Sequence, residues 1–464
     1  MLASPPPFLR PGSVAGSPVA VPARREEGAV IPEGDGALSL LFLTPLDYLA
    51  AHNNREHNAV RFYARRGDRV EVVAKRLNRR GGWRAALRDG LTARTTSVQR
   101  DGATIRTVDP LLNFYGGLAR QAAAASGTVD APPRPGGRLK AAVIRALRPL
   151  SLLREAAATL ALARAAWGPA GAADVVVAFG PWAALPGWFL RRTGRVRFLV
   201  YVDRDCEAGL FEDVRRDVTA FLERRLPRAA DLFVTIGPRL RAMRRRTTGR
   251  DPLVCETGVD TDRFAAVRMA TGPGPGRFTV LYVGNVIDWS GVDLAIGVLP
   301  DLPDHVCLRV VGGGLPSYVA ALKRLAERTG VAHRVEFVGP VPHASIPALM
   351  GGAALGLALS RPNLYREYAY PLKVLEYFAA GLPVVATAGT EGGDIVRRAE
   401  AGLAIGFEPA ALAGGLAALA SDGARYADLR RKALAAAETM TWARSFSRER
   451  TAVMSALPPR RATT

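Results

Sequence analysis

The chain has 464 residues, a formal net charge of +21 at pH 7 and 48% hydrophobic residues. A chain of this length exceeds what one hydrophobic core usually serves, so two domains are predicted. The positive charge favours anionic partners such as nucleotides or anionic lipid surfaces. No helix-turn-helix, zinc module or aromatic RNA-binding strand accompanies that charge, so nucleic acid is not an expected partner.

The compartment is predicted from cysteine usage and from the N-terminus. Cys206, Cys255 and Cys307 lie far apart, with no disulfide or metal-binding spacing, which favours the reducing cytoplasm. Residues 1–36 are rich in proline, glycine and alanine and are predicted to be a disordered tail rather than a signal peptide. The longest apolar stretch, 175–190, is interrupted by glycine and proline, so no membrane-spanning helix is predicted.

Strands and helices alternate from residue 37 to residue 265, which predicts a parallel sheet covered on both faces. The predicted strands are 38–44, 69–74, 104–108, 174–178, 197–202, 232–235 and 253–255. The predicted helices are 55–66, 181–192 and 211–228.

A glycine- and proline-rich linker at 266–277 separates this first domain from a second αβ domain at 277–440. Its predicted strands are 279–283, 306–311, 335–338, 355–359, 384–386 and 403–405. Its predicted helices are 292–299, 316–329, 373–380, 410–420 and 426–440. A last helix, 442–456 within the segment 441–464, either stays with this domain or crosses back to the first. The prediction is two Rossmann-like domains facing a cleft, with ligands at the carboxyl ends of the strands.

The most informative stretch runs from Tyr370 to Thr387. It places the Glu376 carboxylate on a short helix, ends that helix at Gly381 and continues into a buried strand. One carboxylate held on a helix can accept two hydrogen bonds from a ribose diol. The alternative is an ordinary αβ unit with a solvated glutamate.

Other segments of the second domain carry glycine turns after predicted strands. They are Leu281–Asn285, Val310–Gly314, Arg334–Val341 and Gly389–Asp394, and Thr257–Phe264 precedes the linker. Their order and spacing resemble the GT-B glycosyltransferases, most closely the retaining family 4, or group 1. The resemblance covers about residues 232–456 and is weak over 37–170. It implies transfer of a sugar from a nucleoside-diphosphate sugar to a glycan or lipid-linked acceptor, with retention of configuration and without a metal or cofactor.

The resemblance also implies roles for particular residues. Gly284, Asn285 and Gly312 approach the donor diphosphate, and the backbone of Pro340 and Val341 meets the base. Glu376 accepts from the ribose. Gly392 and Gly393 admit a phosphate to the N-terminus of the helix that follows them. The alternatives at these positions are plain loops, a strand-end turn and an ordinary helix start.

Three positions depart from the family pattern. The first of two signature glutamates is replaced by Tyr368, with Glu367 one residue too early; Glu367 is a catalytic candidate only if the loop slips. The family's arginine and lysine near the first glycine turn are replaced by Asn285 and Ser290. Lys373 and Arg366 are candidates to supply the missing charge, the alternative being solvated surface. A catalytically inactive sugar-nucleotide or glycan binder therefore remains the alternative function.

In the first domain, Asp203-Arg204-Asp205 ends a predicted strand. Such an Asp-x-Asp holds a divalent metal in GT-A enzymes, but the two-domain pattern favours Asp203 as a cleft carboxylate that orients an acceptor hydroxyl. A structural ion pair with Arg204 or Arg197 is the alternative. Asp47 and His52, after the first strand, are candidates for acceptor contact. No metal site is predicted, because His52 and His57 are poorly spaced for one.

Residues 138–148 form a basic amphipathic pattern, with Leu139, Val143 and Leu147 on one stripe. Such a helix can rest on an anionic bilayer, on the inner face of the cell membrane. A surface helix packed on the sheet is the alternative.

Overall fold

The structure is a computed structural model that describes residues 36–49, 54–75, 95–108, 150–211, 213–274 and 276–459. The described residues from Ala37 onward form one compact unit. The predicted N-terminal tail (except Gly36), His52 and the basic segment 138–148 lie outside the described residues.

In the described residues, the first half of the chain forms an eight-stranded sheet in the order β3-β4-β2-β1-β5-β6-β7-β8. All neighbours are parallel except the β3–β4 pair. The central strand β5 is buried at every residue, as expected for a strand covered by helices on both faces. The strands are β1 Ser39–Thr44, β2 Arg69–Lys75, β3 Thr95–Arg100, β4 Ala103–Val108, β5 Val175–Phe179, β6 Phe198–Asp203, β7 Leu232–Thr235 and β8 Leu253–Val254.

All but the last of the helices of this half connect parallel strands of the sheet. Both α3 and α5 begin with a proline at their first position, where a missing N–H costs nothing. The helices are α1 Arg55–Arg65, α2 Leu150–Ala170, α3 Pro181–Arg192, α4 Val214–Ala229, α5 Pro238–Thr248 and α6 Asp262–Ala265. A short 3₁₀ helix, Glu207–Leu210, follows β6.

The second half forms a six-stranded, all-parallel sheet within the described residues, in the order β11-β10-β9-β12-β13-β14. The strands are β9 Phe278–Val283, β10 Val306–Val311, β11 Val335–Gly339, β12 Leu355–Ala358, β13 Val384–Thr387 and β14 Gly402–Ile405. The helices are α7 Val292–Val298, α8 Pro316–Arg328, α9 Ile346–Met350, α10 Leu364–Tyr368, α11 Leu372–Ala379, α12 Glu391–Ala399, α13 Pro409–Ser421 and α14 Gly423–Thr439.

The last helix, α15 Trp442–Ala456, packs against the first sheet. Its Glu449 accepts from the Arg55 guanidinium at 2.5 Å, and its Arg450 pairs with buried Asp68 at 3.1 Å. At Gly258 the chain passes the start of α15 so closely that a Cβ would lie 2.2 Å from the Trp442 nitrogen. Glycine is therefore required at position 258 for the return of the helix.

The strand order reverses direction at the same relative place in both sheets. In the second sheet the reversal lies between β9 and β12; in the first it lies between β1 and β5. Ligands of such sheets bind outside the carboxyl ends of the strands at this switch point. The predicted fold class is confirmed. No helix in the described ranges is both long and apolar enough to span a bilayer.

Candidate functional site

A cavity of about 250 Å³ opens between the carboxyl ends of the two sheets. The loop after β1, the loop after β6 and the segment from β12 to α12 enclose it, so both switch points contribute. Its lining includes Asn54, Arg55, Glu56, Arg204, Asp205, Ile236, Thr257, Ala358, Ser360, Tyr365, Arg366, Ala369, Tyr370, Pro371, Leu372, Thr390, Gly392 and Trp442. The cavity is strongly polar on the side of the first sheet and at α10.

Two glycine turns stand at the adjoining edge of the second sheet. Gly284 follows β9 with φ 144°, and Gly312 follows β10 with φ 139°, a backbone region that favours glycine. A Cβ on Gly312 would lie only 1.8 Å from the Gly284 carbonyl oxygen. Both turns therefore depend on glycine, and they bring bare backbone to the edge where a ligand would lie.

A lysine from α11 reaches this edge. Lys373 Nζ lies 4.2 Å from the centroid of the Tyr282 ring and 2.9 Å from the position of a Cβ on Gly284. Within the described part of the chain, no carboxylate forms an ion pair with it. Its neighbour Leu372 lines the cavity, so this edge and the cavity adjoin.

Arg366 on α10 supplies a second cation. Its guanidinium lies 5.2 Å from the ring centroids of both Trp289 and Tyr365. It lines the cavity, and its buried Nε has no hydrogen-bond partner. Among the described residues it forms no close ion pair, although the Asp205 carboxylate lies near enough to interact with it electrostatically. A lysine and an arginine beside a cavity and two glycine turns form a site suited to an anion.

Glu376 is 5% exposed and lies three residues after Lys373 on α11. One of its oxygens is 2.9 Å from His343 Nε2, and His343 Nδ1 is 3.1 Å from an Arg263 nitrogen. The other oxygen has no protein partner in the described residues and is not fully sealed from solvent. Glu376 is therefore buried and held, with one oxygen left for a ligand.

The remaining residues expected at this edge have mixed surroundings. Pro340 and Asn285 are exposed, and Val341 is half-buried against the core. Pro340 also lies beside the second turn, 3.3 Å from the position of a Cβ on Gly313. Ser290 is 4% exposed and its hydroxyl has no partner. Neither Asn285 nor Ser290 brings charge to the edge.

The expectation for Gly392 and Gly393 needs correction. Helix α12 begins at Glu391, before the glycines, and the Gly393 N–H already donates to the Thr390 hydroxyl at 3.1 Å. A Cβ on Gly393 would lie 2.4 Å from the Thr387 backbone carbonyl oxygen. Glycine is therefore needed at this position for close packing of the backbone. Gly392 and Thr390 line the cavity, while the Gly393 N–H is not free for a phosphate.

The carboxylate of Glu391 contacts the first half of the molecule rather than the cavity. It accepts from the Arg239 backbone N–H at 3.0 Å, near the start of α5, whose N-cap residue Gly237 has no side chain. Burial raises the pKa of Glu391. Arg239 also pairs with Asp394 of α12. A residue of the second half thus caps a helix of the first.

The acceptor-orienting role expected for Asp203 is wrong for this structure. Its side chain is completely buried, and both oxygens accept from Arg244 at 2.5 and 3.3 Å. The same guanidinium binds buried Glu223 at 3.0 Å. The structural alternative therefore holds, although the partner is Arg244 rather than Arg204 or Arg197.

Asp205, two residues later, lines the cavity instead. The Tyr365 side chain of α10 lies near this carboxylate and lines the same cavity, so a loop of the first half meets the second half here. Desolvation raises the pKa of Asp205 to about 7, against the opposing effect of the Arg204 guanidinium. Arg204 is itself paired with Glu56 and lies 3.5 Å from Glu207. Asp205 can thus change its charge near neutral pH.

Two other candidates lie away from the cavity lining. Glu367 forms an ion pair with Arg239 at 3.7 Å, and Asp47 is 6% exposed. His57, which the sequence analysis considered with His52 as a metal ligand, is buried, and its Nε2 lies 2.8 Å from the Tyr48 carbonyl oxygen. Among the described residues, no group of three or more side chains is arranged to hold a metal ion.

The sequence did not identify Tyr365, Thr390 or His343 as site residues. Tyr365 and Thr390 lie between or inside the recognised motifs, and His343 follows Val341 by two residues. Their only sequence signal is that proximity. Their roles depend on how α10 and the 340–345 loop fold over the strand ends.

Residues 277–422 match the model of the family described as Glycosyl transferases group 1. The chain is 35% identical over 153 residues to the GDP-mannose-dependent alpha-(1-6)-phosphatidylinositol monomannoside mannosyltransferase of Mycolicibacterium smegmatis, covering 29% of this chain and 37% of that protein. It is 30% identical over 216 residues to D-inositol 3-phosphate glycosyltransferase 2 of Catenulispora acidiphila, covering 42% and 49%. The chain thus spans less than half the length of these relatives.

Solved structures match over most of the chain. HepE of Anabaena, solved with UDP and glucose, gives a TM-score of 0.62 at 18% identity, covering 90% of this chain and all of that one. Sucrose-phosphate synthase of Thermosynechococcus elongatus gives 0.64 at 16% identity, covering 89% and 98%. The chain therefore has the GT-B fold of two facing Rossmann-like domains, and residues 277–422 of its second domain match the group 1 glycosyltransferase model.

Proposed function

We propose that the protein transfers a sugar from a nucleoside-diphosphate sugar to a glycan or lipid-linked acceptor. The nucleotide lies along the carboxyl edge of the second sheet, and the acceptor enters the cavity from the side of the first. One observation carries this proposal: Lys373, which forms no ion pair with a carboxylate of the described residues, lies at the Gly284 turn, and Arg366 lines the adjoining cavity.

The diphosphate binds at the Gly284 turn. There Lys373 supplies the positive charge that Asn285 and Ser290 do not. Its ammonium is held above the Tyr282 ring before any ligand arrives, and cation–π contact favours that position. A preorganised charge stabilises the departing diphosphate without further reorganisation. Arg366, whose guanidinium lies near the Trp289 and Tyr365 rings, meets the same charge from the cavity side.

The ribose binds at Glu376. Its carboxylate oxygen that has no protein partner accepts from a ribose hydroxyl, and His343 holds the other oxygen in place. The helix α11 is anchored by buried residues on both sides of Glu376, so the carboxylate keeps its direction. Pro340 and Val341 follow β11 at the same edge and supply backbone groups for the base.

The acceptor hydroxyl binds at Asp205. This carboxylate lines the cavity and reaches Tyr365 of the second half. In its ionised form it accepts from the hydroxyl and orients the oxygen toward the anomeric carbon. The bond from that carbon to the diphosphate oxygen breaks as the new glycosidic bond forms, the nucleoside diphosphate leaves, and the hydroxyl proton passes to Asp205. Asp205 thus takes the role that was expected of Asp203.

The stereochemical outcome and the compartment are also part of the proposal. Resemblance to the retaining family supports retention without a metal ion, with cationic side chains neutralising the diphosphate. The names of the relatives favour GDP-mannose and UDP-sugars as the first donors to test, and an inositol-containing or lipid-linked acceptor. We place the protein in the cytoplasm, at the inner face of the cell membrane when its acceptor is a lipid.

A panel of GDP-, UDP- and ADP-sugars tests the proposal through ligand-induced protection from thermal unfolding, followed by nucleotide release with glycan and lipid acceptors. Protection by one base and transfer to one acceptor support it. A chain that no nucleotide protects contradicts the proposal. Protection without transfer to any acceptor favours the inactive binder.

A further inference from the structure

An apolar stripe runs along the outer face of α2. Leu153, Leu160 and Trp167 follow one another at seven-residue spacing, which places them on one side of the helix. They are 57%, 71% and 39% exposed. The other side of α2 is packed in the core through Ala161, Leu162 and Ala166. The stripe is therefore surplus to the packing of the domain.

The helix lacks the polar outer face that a solvent-facing helix normally has. Over residues 151–170 the exposed positions are Leu153, Ala156, Leu160, Arg164, Trp167 and Gly168, and only one of them is charged. The single acid of α2, Glu155, is half-buried and binds Lys75 at 3.1 Å and Arg154 at 2.5 Å.

The stripe continues onto α3. Phe189 is 46% exposed and its ring lies 5.8 Å from that of Trp167, while Trp188 beside it is 37% exposed. The Arg195 guanidinium lies 4.4 Å from the centre of the Trp167 ring. We call Leu153, Leu160, Trp167, Trp188 and Phe189, together with Arg164, Arg192 and Arg195, the aromatic–arginine face.

Charge decides which partner suits this face. Helix α3 contains no acidic residue, and nearby Asp231 is engaged by Arg191 at 2.7 Å. Within the described residues, the aromatic–arginine face therefore presents arginines without an exposed carboxylate on α2 or α3. Aromatic rings with adjacent arginines suit the interface of a bilayer, and arginines favour anionic headgroups.

A second copy of this chain is a poorer partner. In a two-fold dimer the same patch meets itself, so Arg164, Arg192 and Arg195 would face their own copies. The net charge of +21 adds to that repulsion. Residues 109–149 precede α2 and lie outside the described residues. The test below also distinguishes a bilayer from this segment as the partner of the face.

We propose that the aromatic–arginine face of α2 and α3 seats the protein on an anionic lipid bilayer. The face begins near the cleft, because Glu155 at the start of α2 meets Lys75 at the carboxyl end of β2. It extends to Trp167 and Phe189, which lie toward the opposite end of the strands from the cleft. The first domain thus lies on the membrane with the cavity at its rim. This deepens the proposed function by supplying a route for a lipid-linked acceptor, but membrane binding itself requires no catalysis.

Vesicle flotation of the full chain tests the proposal, with vesicles of phosphatidylcholine alone or mixed with phosphatidylglycerol. We expect binding to the mixed vesicles that weakens with salt. The double variant Trp167→Ser/Phe189→Ser should lose at least about tenfold in partitioning, since two aromatic side chains no longer enter the interface. Arg164→Gln/Arg192→Gln should lose the preference for anionic vesicles. Met269→Ser, at an exposed position in the segment before β9, is the matched control and should bind as wild type.

Thermal unfolding of each variant establishes that it folds. Should the aromatic double variant unfold, quenching of wild-type tryptophan fluorescence by brominated lipids gives an independent measurement. Four results would overturn the proposal: no binding by wild type, equal binding by the aromatic variant, a dimer that this variant dissociates, or binding that appears only after residues 109–149 are deleted. Protection by nucleotides should be the same in wild type and variants, so a failure here is distinguishable from a failure of the proposed function.

Discussion

Lys373 reaches back from α11 to Gly284, so that its Nζ lies 2.9 Å from where a Cβ on that glycine would be. A lysine on one element thus occupies the space that a glycine on another leaves open. The cation is carried by the helix that also carries Glu376. This arrangement explains how a donor edge can work although Asn285 and Ser290 bring no charge to it.

Replacing Lys373 by methionine should weaken nucleoside-diphosphate binding by about tenfold or more, because a charge-assisted hydrogen bond contributes about 1.5–3 kcal/mol. Isothermal titration with UDP and GDP measures the change. The matched control is Lys323→Met. Lys323 lies on α8, with its Nζ 5.7 Å from the centroid of the Phe337 ring, and its removal should leave nucleotide binding unchanged. If Lys373→Met and wild type bind the nucleotide with equal affinity, the diphosphate does not bind at this turn.

Replacing Asp205 by asparagine should lower turnover by about a hundredfold, within the range for a positioned acid or base, while nucleotide affinity stays unchanged. The raised pKa of about 7 sets the pH dependence. The ionised fraction rises from about one tenth at pH 6 to about nine tenths at pH 8, so wild-type activity should rise over this interval. The groups facing Asp205 are Arg204, Asp203, Arg366, Tyr365 and Glu207, and the pKa of Glu207 is itself raised to about 8 by burial.

The pH profile separates a role in the reaction from a structural one. Asp205→Asn should lose most of this rise between pH 6 and pH 8, whereas Glu207, with its pKa raised to about 8, is present in both proteins. A variant that keeps the wild-type rise would show that another group titrates, and full activity in Asp205→Asn would exclude this carboxylate from the acceptor site.

Much of the fold could be predicted, because most strands of these sheets are short apolar runs bounded by turns. Helix α3 was predicted with its observed bounds, Pro181–Arg192. By contrast, β3 is an exposed edge strand, Thr95–Arg100, with no apolar run to announce it. Helix α2, rich in alanine and leucine, was not predicted because neither of its faces is clearly polar. The same lack of a polar face is the basis of the membrane role proposed for it.

The candidate site was only partly predictable for a different reason. Gly284 and Glu376 belong to local patterns, whereas the contact of Asp205 with Tyr365 joins residues 160 positions apart. Asp203 and Asp205 have the same chemistry, and only the position of Arg244 decides which one is sealed. A strand-end Asp-x-Asp cannot reveal the helix that will lie against it.

Arg244 lies between Asp203 and Glu223, so replacing it by methionine leaves two buried carboxylates without their cation. The free energy of unfolding should fall by about 3–5 kcal/mol, as for a broken buried pair. Urea denaturation measures this loss. Arg241→Met, on the same helix, breaks the exposed pair with Asp251 and should leave the free energy of unfolding nearly unchanged. Similar losses in both variants would contradict the structural role assigned to Arg244.

Glu391→Ala removes the carboxylate that caps α5 from the opposite half. The expected loss is about 1 kcal/mol in the free energy of unfolding, as for an N-cap residue. Hydrogen exchange at the start of α5 should accelerate, because the Arg239 N–H loses its acceptor. Glu438→Ala, whose side chain is exposed and pairs with Arg268, serves as the control. Unchanged exchange at Arg239 in the Glu391 variant would refute the cross-domain cap.

The central claim is that α11 grips the donor through Lys373 and Glu376, and a crystal structure with bound UDP or GDP tests it most directly. The account predicts a phosphate oxygen within hydrogen-bond distance of Lys373 Nζ and a ribose hydroxyl on the Glu376 oxygen that His343 leaves free. A nucleotide bound elsewhere, or a Glu376 that still meets only His343 while the ribose lies away from it, would contradict the account.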